Sequence, residues 1–158
     1  MGFLQNGEKF PELKIATVGG DTLSIPQDLA GSYGVVLIYR GSWCPYCNAQ
    51  LAAFGRAQDK LAAVNAKVVA LSVDDEASAA ETVDKYKLTF PVGHDADADA
   101  VSVAIGSYTN REPKYLQSTG FVLDPDGTVI TAVYSSGAIG RLVPDDVVGF
   151  LRYIQSEH

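Results

Sequence analysis

Apolar residues follow two different periods along this chain, and the switches between them mark out its elements. Residues 13–18 and 22–25 flank Gly19-Gly20-Asp21 and predict a short β-hairpin. Pro26 ends its second arm, and residues 27–32 fit one helical turn. Val35-Val36-Leu37-Ile38-Tyr39 is a continuous apolar run, the signature of a strand covered on both faces. Over residues 47–65 the period becomes helical. Cys47, Leu51, Phe54, Leu61 and Val64 share one stripe, while Asn48, Arg56, Asp59 and Lys60 face water. Pro45 suits the first turn of that helix, where its missing N–H costs nothing.

Residues 67–73 read as a second buried strand. Asp74 or Asp75 caps a helix over 76–86. Residues 88–92 form a short extended piece. Residues 95–105 form a helix whose first turn carries acidic groups, which suits the macrodipole. Residues 106–118 read as loop. Residues 121–124 and 129–134, joined by Pro125-Asp126-Gly127, predict an antiparallel hairpin. After a loop at 137–143, Pro144 opens a last helix with Val147, Leu151 and Ile154 on one stripe. This order predicts an α/β fold: a mixed central β-sheet flanked by helices on both faces, with an N-terminal β-hairpin extension. The strand, helix, strand step at 35–73 requires a crossover connection between parallel neighbours. No repeat or linker interrupts the chain, so residues 1–158 read as a single domain.

Composition narrows the function. The chain has 158 residues, 47% of them hydrophobic and 20% charged, with a net charge of −7. That is a globular composition, and its acidity argues against binding nucleic acid or an anionic membrane. No window approaches the ~18 apolar residues of a membrane span. The first ten residues lack the basic and apolar regions of a signal peptide. A cytoplasmic protein is the expectation.

Both cysteines of the chain lie in Tyr39-Arg40-Gly41-Ser42-Trp43-Cys44-Pro45-Tyr46-Cys47, between a strand and a helix. In a reducing compartment such a pair is catalytic, redox-sensing or metal-binding rather than a staple. The thiolate is the nucleophile, and Cys44 is placed where free N–H groups and the helix dipole favour it. Thiolates at such positions commonly ionise near pH ~7 or below. Cys47 falls one turn further in, on the buried stripe, so the two can close a disulfide with little movement. Cys44 is thus expected to be the exposed attacker and Cys47 the resolver. Trp43 offers an apolar wall, and Pro45 and Tyr46 tune the pair. Zinc needs four ligands, and His94 and His158 are the only histidines. No metal and no cofactor is predicted.

At these residues the chain resembles the thioredoxin superfamily, in its AhpC/TSA (redoxin, peroxiredoxin-like) branch, over nearly its whole length. Residues 68–74, Thr89-Phe90-Pro91-Val92 and the hairpin at 121–130 look like that family's scaffold, while Trp43-Cys44-Pro45-Tyr46-Cys47 looks like a thioredoxin or glutaredoxin dithiol. The resemblance implies a thioredoxin-like fold and a thiol-dependent oxidoreductase. It implies a disulfide or peroxide as substrate, a thioredoxin-like protein or low-molecular-weight thiol as reductant, and pairing into a homodimer as an assembly open to it.

Two departures stand out. Peroxiredoxins carry a Pro, a Thr or Ser four residues on, and the peroxidatic Cys three further. Laid over Cys47, that pattern puts Arg40 in the Pro slot and Cys44 in the Thr slot. This register supports an alternative: Cys47 attacks peroxide and Cys44 resolves. The arginine that family places before its late strand is replaced by Ser118-Thr119-Gly120, leaving Arg40 or Arg111 as candidate substitutes. The thioredoxin cis-proline is absent from the same place, so Thr119 or Ser118 is expected to face the sulfurs. A third reading keeps the pair as a non-enzymatic redox sensor or metal-binding module. His94, the Asp95, Asp97 and Asp99 cluster, and the Arg111 and Lys114 spot read as loop, helix start and surface.

Overall fold

The computed structural model describes residues 2–157. Its elements in order are β1 (Leu13–Thr17), β2 (Thr22–Ile25), a 3-10 turn (Gln27–Leu29) and β3 (Tyr33–Ile38). Then come α1 (Pro45–Arg56), α2 (Gln58–Ala63), β4 (Ala66–Leu71), α3 (Glu76–Tyr86), β5 (Val92–His94) and α4 (Ala98–Ile105). The chain ends with β6 (Thr109–Arg111), β7 (Lys114–Leu116), β8 (Thr119–Leu123), β9 (Val129–Tyr134) and α5 (Pro144–Glu157).

Seven strands form one mixed sheet in the order β2-β1-β5-β4-β3-β8-β9. β3 and β4 are parallel, in register from Tyr33 opposite Ala66 to Ile38 opposite Leu71. β8 runs antiparallel along the other side of β3. The strand period sorts side chains onto two faces. Val35, Leu37, Tyr39, Val68 and Ala70 pack against α1, α2 and α5 through Leu51, Phe54, Leu61 and Leu151. Val36, Ile38, Val69, Leu71 and Phe121 pack on the opposite face against Val101 and Ile105 of α4. Burial on both faces is why residues 35–38 of β3 and 68–71 of β4 read as unbroken apolar runs. Burying each Val, Leu, Ile or Phe side chain among them contributes about 1.5–3 kcal/mol.

The mixed sheet with helices on both faces is the predicted architecture, and four details differ. The helix expected over 47–65 is broken at Ala57, where the N–H bonds three residues back to Phe54 O. The break keeps Phe54, Ala57, Leu61 and Val64 all in the core. The extended piece at 88–92 pairs only from Val92 onward, because Pro91 offers a carbonyl to Ala70 N but has no N–H to extend the ladder. α4 starts at Ala98 with Asp97 as its cap. The supposed loop at 106–118 contains the β6–β7 hairpin. Three-residue strands are too short to show a period.

Candidate active site

The dithiol loop is pinned from both sides. Tyr39 N–H bonds to Leu71 O across the end of the sheet, and the Cys44 amide closes a turn onto Gly41 O. Asp74, just beyond β4, accepts the Ser42 amide at 2.9 Å. Asn48, in the first turns of α1, donates to Ser42 O at 2.8 Å. Cys44 has extended backbone (φ −92°, ψ 111°) and caps α1, with Pro45 at its first position. Its sulfur accepts the Cys47 amide at 3.2 Å, the place an oxygen takes in an ordinary cap. Cys44 and Cys47 are joined as a disulfide, their Cα atoms 5.2 Å apart.

Two arginines converge on the sulfurs. Arg40 Nη1 lies 3.7 Å from Cys44 Sγ, and the Arg40 amide 3.4 Å from Cys47 Sγ. Arg141 Nη2 donates to Cys47 Sγ at 3.3 Å. Arg141 reaches there from the 137–143 loop, its Nη1 held by Ala138 O at 2.6 Å. Among the described residues neither arginine forms an ion pair. Burial, and then the charge of Arg40, pulls the Arg141 pKa below its ordinary value. Two cations share this site without a carboxylate, so each favours an anion between them. Burial also holds the neighbouring carboxyl of Asp74 above its ordinary range. Burial pushes the Tyr39 phenol up to about 12, so it stays neutral where thiols ionise.

Arg40 is held in a cage. Gln117 Oε1 accepts its Nε at 3.1 Å and the Tyr115 hydroxyl accepts its Nη2 at 3.0 Å. The Trp43 and Tyr115 rings flank the guanidinium at 4.9 and 5.3 Å. Trp43 and Tyr46 are about half exposed.

Several expectations change. Cys44 is not an exposed thiol: in the disulfide both sulfur-bearing residues are fully buried. Arg40, anchored by Gln117 and Tyr115, lies against Cys44. Arg40 does reach the pair. Arg111 is instead on the surface beside Asp99 at 3.7 Å, where Lys114 also binds. Thr119 does not face the sulfurs. It sits opposite Ile38, on the α4 face of the sheet, and bonds to Ser107 Oγ and Gln117 O. His94 pairs with Asp95 at 2.6 Å. Among the described residues no group of three or more His, Cys, Asp or Glu could hold a metal, and no helix is long and apolar enough to cross a membrane. Arg141, Gln117 and Tyr115 are the functional candidates that sequence reasoning missed.

The AhpC/TSA family model matches residues 6–132. The peroxiredoxin of Methanococcus maripaludis (strain C5) is 28% identical over 158 residues, covering 95% of this chain and 71% of that protein. The peroxiredoxin of Chlorobaculum tepidum is 28% identical over 155 residues, covering 94% and 72%. The crystal structure of peroxidoxin BcpB from Mycobacterium tuberculosis superposes with a TM-score of 0.83 at 21% identity, over 96% of this chain and 98% of that one. AhpC of Mycobacterium tuberculosis gives 0.81 at 21%, over 99% and 96%. These two structures share the thioredoxin-like fold, and the family match covers both cysteines. The chain therefore belongs to the AhpC/TSA family, with Cys44 and Cys47 as the dithiol of a peroxiredoxin-like thiol oxidoreductase.

Proposed function

We propose that the chain reduces hydroperoxides as a two-cysteine peroxidase, with Cys47 attacking and Cys44 resolving. The carrying observation is the donor set on Cys47 Sγ: the Arg141 guanidinium at 3.3 Å and the Arg40 amide at 3.4 Å. Donors aimed at a sulfur favour its thiolate and then stabilise charge developing on a peroxide oxygen beside it. The Cys47 thiolate attacks one peroxide oxygen, the O–O bond breaks, and the second oxygen leaves as an alcohol after taking a proton. Cys47 is then a sulfenic acid. Cys44 attacks it, the S–O bond breaks, water leaves, and the Cys44–Cys47 disulfide forms. A thioredoxin-like protein or low-molecular-weight thiol returns the pair to the dithiol. Full burial of both cysteines suits a small peroxide better than a bulky protein disulfide. A reducing cytoplasm suits the cycle.

The cap position of Cys44 favours a second reading, in which Cys44 attacks a disulfide and Cys47 resolves. Mass spectrometry with a sulfenic-acid trap separates the two. After one equivalent of peroxide, Cys44→Ser is expected to carry the trap on Cys47. Trapping on Cys44 in Cys47→Ser, with none on Cys47 in the other variant, overturns the assignment and leaves the second reading.

A further inference from the structure

Arg40 stands out among the charged groups of the site because each of its guanidinium nitrogens has a neutral partner. Nε is bound by the Gln117 amide oxygen, Nη2 by the Tyr115 hydroxyl, and Nη1 faces Cys44 Sγ. The two aromatic rings fix the plane of the group. A thiol ionises more readily than a phenol or an amide. Of these three partners, the Cys44 sulfur is the one that can become an anion at neutral pH.

We propose that Arg40 is a further catalytic residue of the oxidoreductase cycle, whose guanidinium holds the Cys44 sulfur as a thiolate. This rests on the reading above in which Cys44 resolves. The charge acts twice. During resolution the Cys44 thiolate gives its electron pair to Cys47 Sγ, the S–S bond forms, and hydroxide leaves and is protonated to water. During reduction a thiolate of the reductant, a dithiol protein or a monothiol, attacks Cys47 Sγ. The S–S bond then breaks and its electron pair returns to Cys44 Sγ, facing Arg40. A second thiolate of the reductant releases Cys47 and completes the reductant's own disulfide. A neutral disulfide gains nothing from the cation, whereas the thiolate does. Arg40 therefore also favours the reduced form of the pair.

The groups that face the Cys44 sulfur or its immediate partners are Arg40 just after β3, Cys47 in α1, Tyr115 on β7 and Arg141 from the 137–143 loop. Asp74 bonds to the Ser42 amide of the dithiol loop. Replacing Arg40 alone changes one charge in this set.

Two measurements without peroxide test the proposal, so their failure is separate from failure of the peroxidase assignment. The first is iodoacetamide alkylation of Cys44 against pH in Cys47→Ser. Adding Arg40→Met is expected to move the midpoint upward and slow alkylation at pH 7 roughly tenfold. The second is the dithiol–disulfide equilibrium of the full pair in a glutathione buffer. Arg40→Met is expected to favour the disulfide roughly tenfold, about 30 mV toward a more negative potential. Arg40→Lys, which keeps the charge, is expected to restore most of both effects. An unchanged midpoint and equilibrium in folded Arg40→Met overturns the proposal. If that variant does not fold, Tyr115→Phe decides. It removes the hydroxyl that anchors Nη2 and is expected to shift both readouts the same way by a smaller amount. No shift in either readout overturns the proposal.

Discussion

Arg141 and Cys47 are 94 positions apart in sequence, yet the guanidinium Nη2 donates to the sulfur at 3.3 Å. A hydrogen bond to a charged group contributes about 1.5–3 kcal/mol. Each 1.4 kcal/mol is about tenfold in rate. Arg141→Met is therefore expected to slow sulfenic-acid formation on Cys47 by roughly ten- to hundredfold. Arg141→Lys is expected to lose less, since it keeps the charge but not the fork geometry. Stopped-flow measurement of peroxide consumption checks both. Equal rates in Arg141→Met and the parent chain would remove Arg141 from the mechanism.

Arg141 is followed by a leucine that packs directly over a glycine. A Cβ on Gly120 would stand 2.8 Å from Leu142 Cδ1 and 3.0 Å from its Cγ. Leu142 packs on the core face of the sheet, and its carbonyl accepts Gln50 Nε2 at 2.9 Å. Gly120→Ala is expected to push the Leu142 side chain aside and, through the 141–142 backbone, to shift the adjacent Arg141. A displacement on the order of 1 Å costs up to roughly hundredfold in rate. Gly120→Ala is expected to slow the peroxide step while far-UV circular dichroism stays that of the parent chain. Parent-like kinetics in a well-folded Gly120→Ala would show that Leu142 yields without moving Arg141.

These two positions show where sequence reading reaches and where it stops. The strands at 33–38 and 66–71 and the helix at 76–86 with its Asp75 cap are legible, since each carries a local period or a cap. The cysteine pair is legible because the strand end and the helix start bracket it. Arg141 is not: its loop has no period, and its contact with Cys47 spans 94 positions and depends on how the sheet and α1 pack. Tyr115 and Gln117 lie on and just after a three-residue strand whose pairing gives no alternation. Cys44 is buried in the folded chain, with Arg40, itself anchored by Gln117 and Tyr115, against its sulfur, whereas the sequence around it predicts an exposed thiol. Thr119 fails for a different reason. One step of strand alternation decides its face, and its pairing with Ile38 turns it toward α4.

Asp74 ties the dithiol loop to stability. Burial raises its pKa above the ordinary 3.8 and the charge of Asp75 adds to this, while the Ser42 amide and the Ser72 hydroxyl oppose it. Folded Asp74 thus binds its proton more tightly than the unfolded chain does. Stability from this group is fully present at pH below its unfolded value. It declines as pH rises from 3.8 through the folded value. Asp74→Asn keeps an acceptor for the Ser42 amide and removes the half-buried charge. It is expected to melt higher than the parent at pH 7, with the advantage vanishing below about pH 3. Thermal melts across that range check the sign. A variant that melts lower at pH 7 would mean that the charge itself anchors the loop.

Tyr46 provides a test of the proposed protein reductant. It stands in the first turn of α1, 52% exposed, one position from Cys47. Together with Ile139 and Val143, both exposed, it borders an apolar cleft of about 240 Å³ that Arg141 also lines. An exposed aromatic beside a buried disulfide gives a partner protein an anchor that a small thiol does not need. Removing such an anchor costs on the order of 1.4 kcal/mol, about tenfold in affinity. Tyr46→Ala is therefore expected to raise KM for a thioredoxin-like reductant roughly tenfold. Reduction by dithiothreitol is expected to change much less. Steady-state peroxide turnover with each reductant, compared between Tyr46→Ala and the parent chain, provides the ratio. Equal losses with both reductants would place Tyr46 in the chemistry of the pair rather than in docking, and would make a low-molecular-weight thiol the better candidate for the reductant.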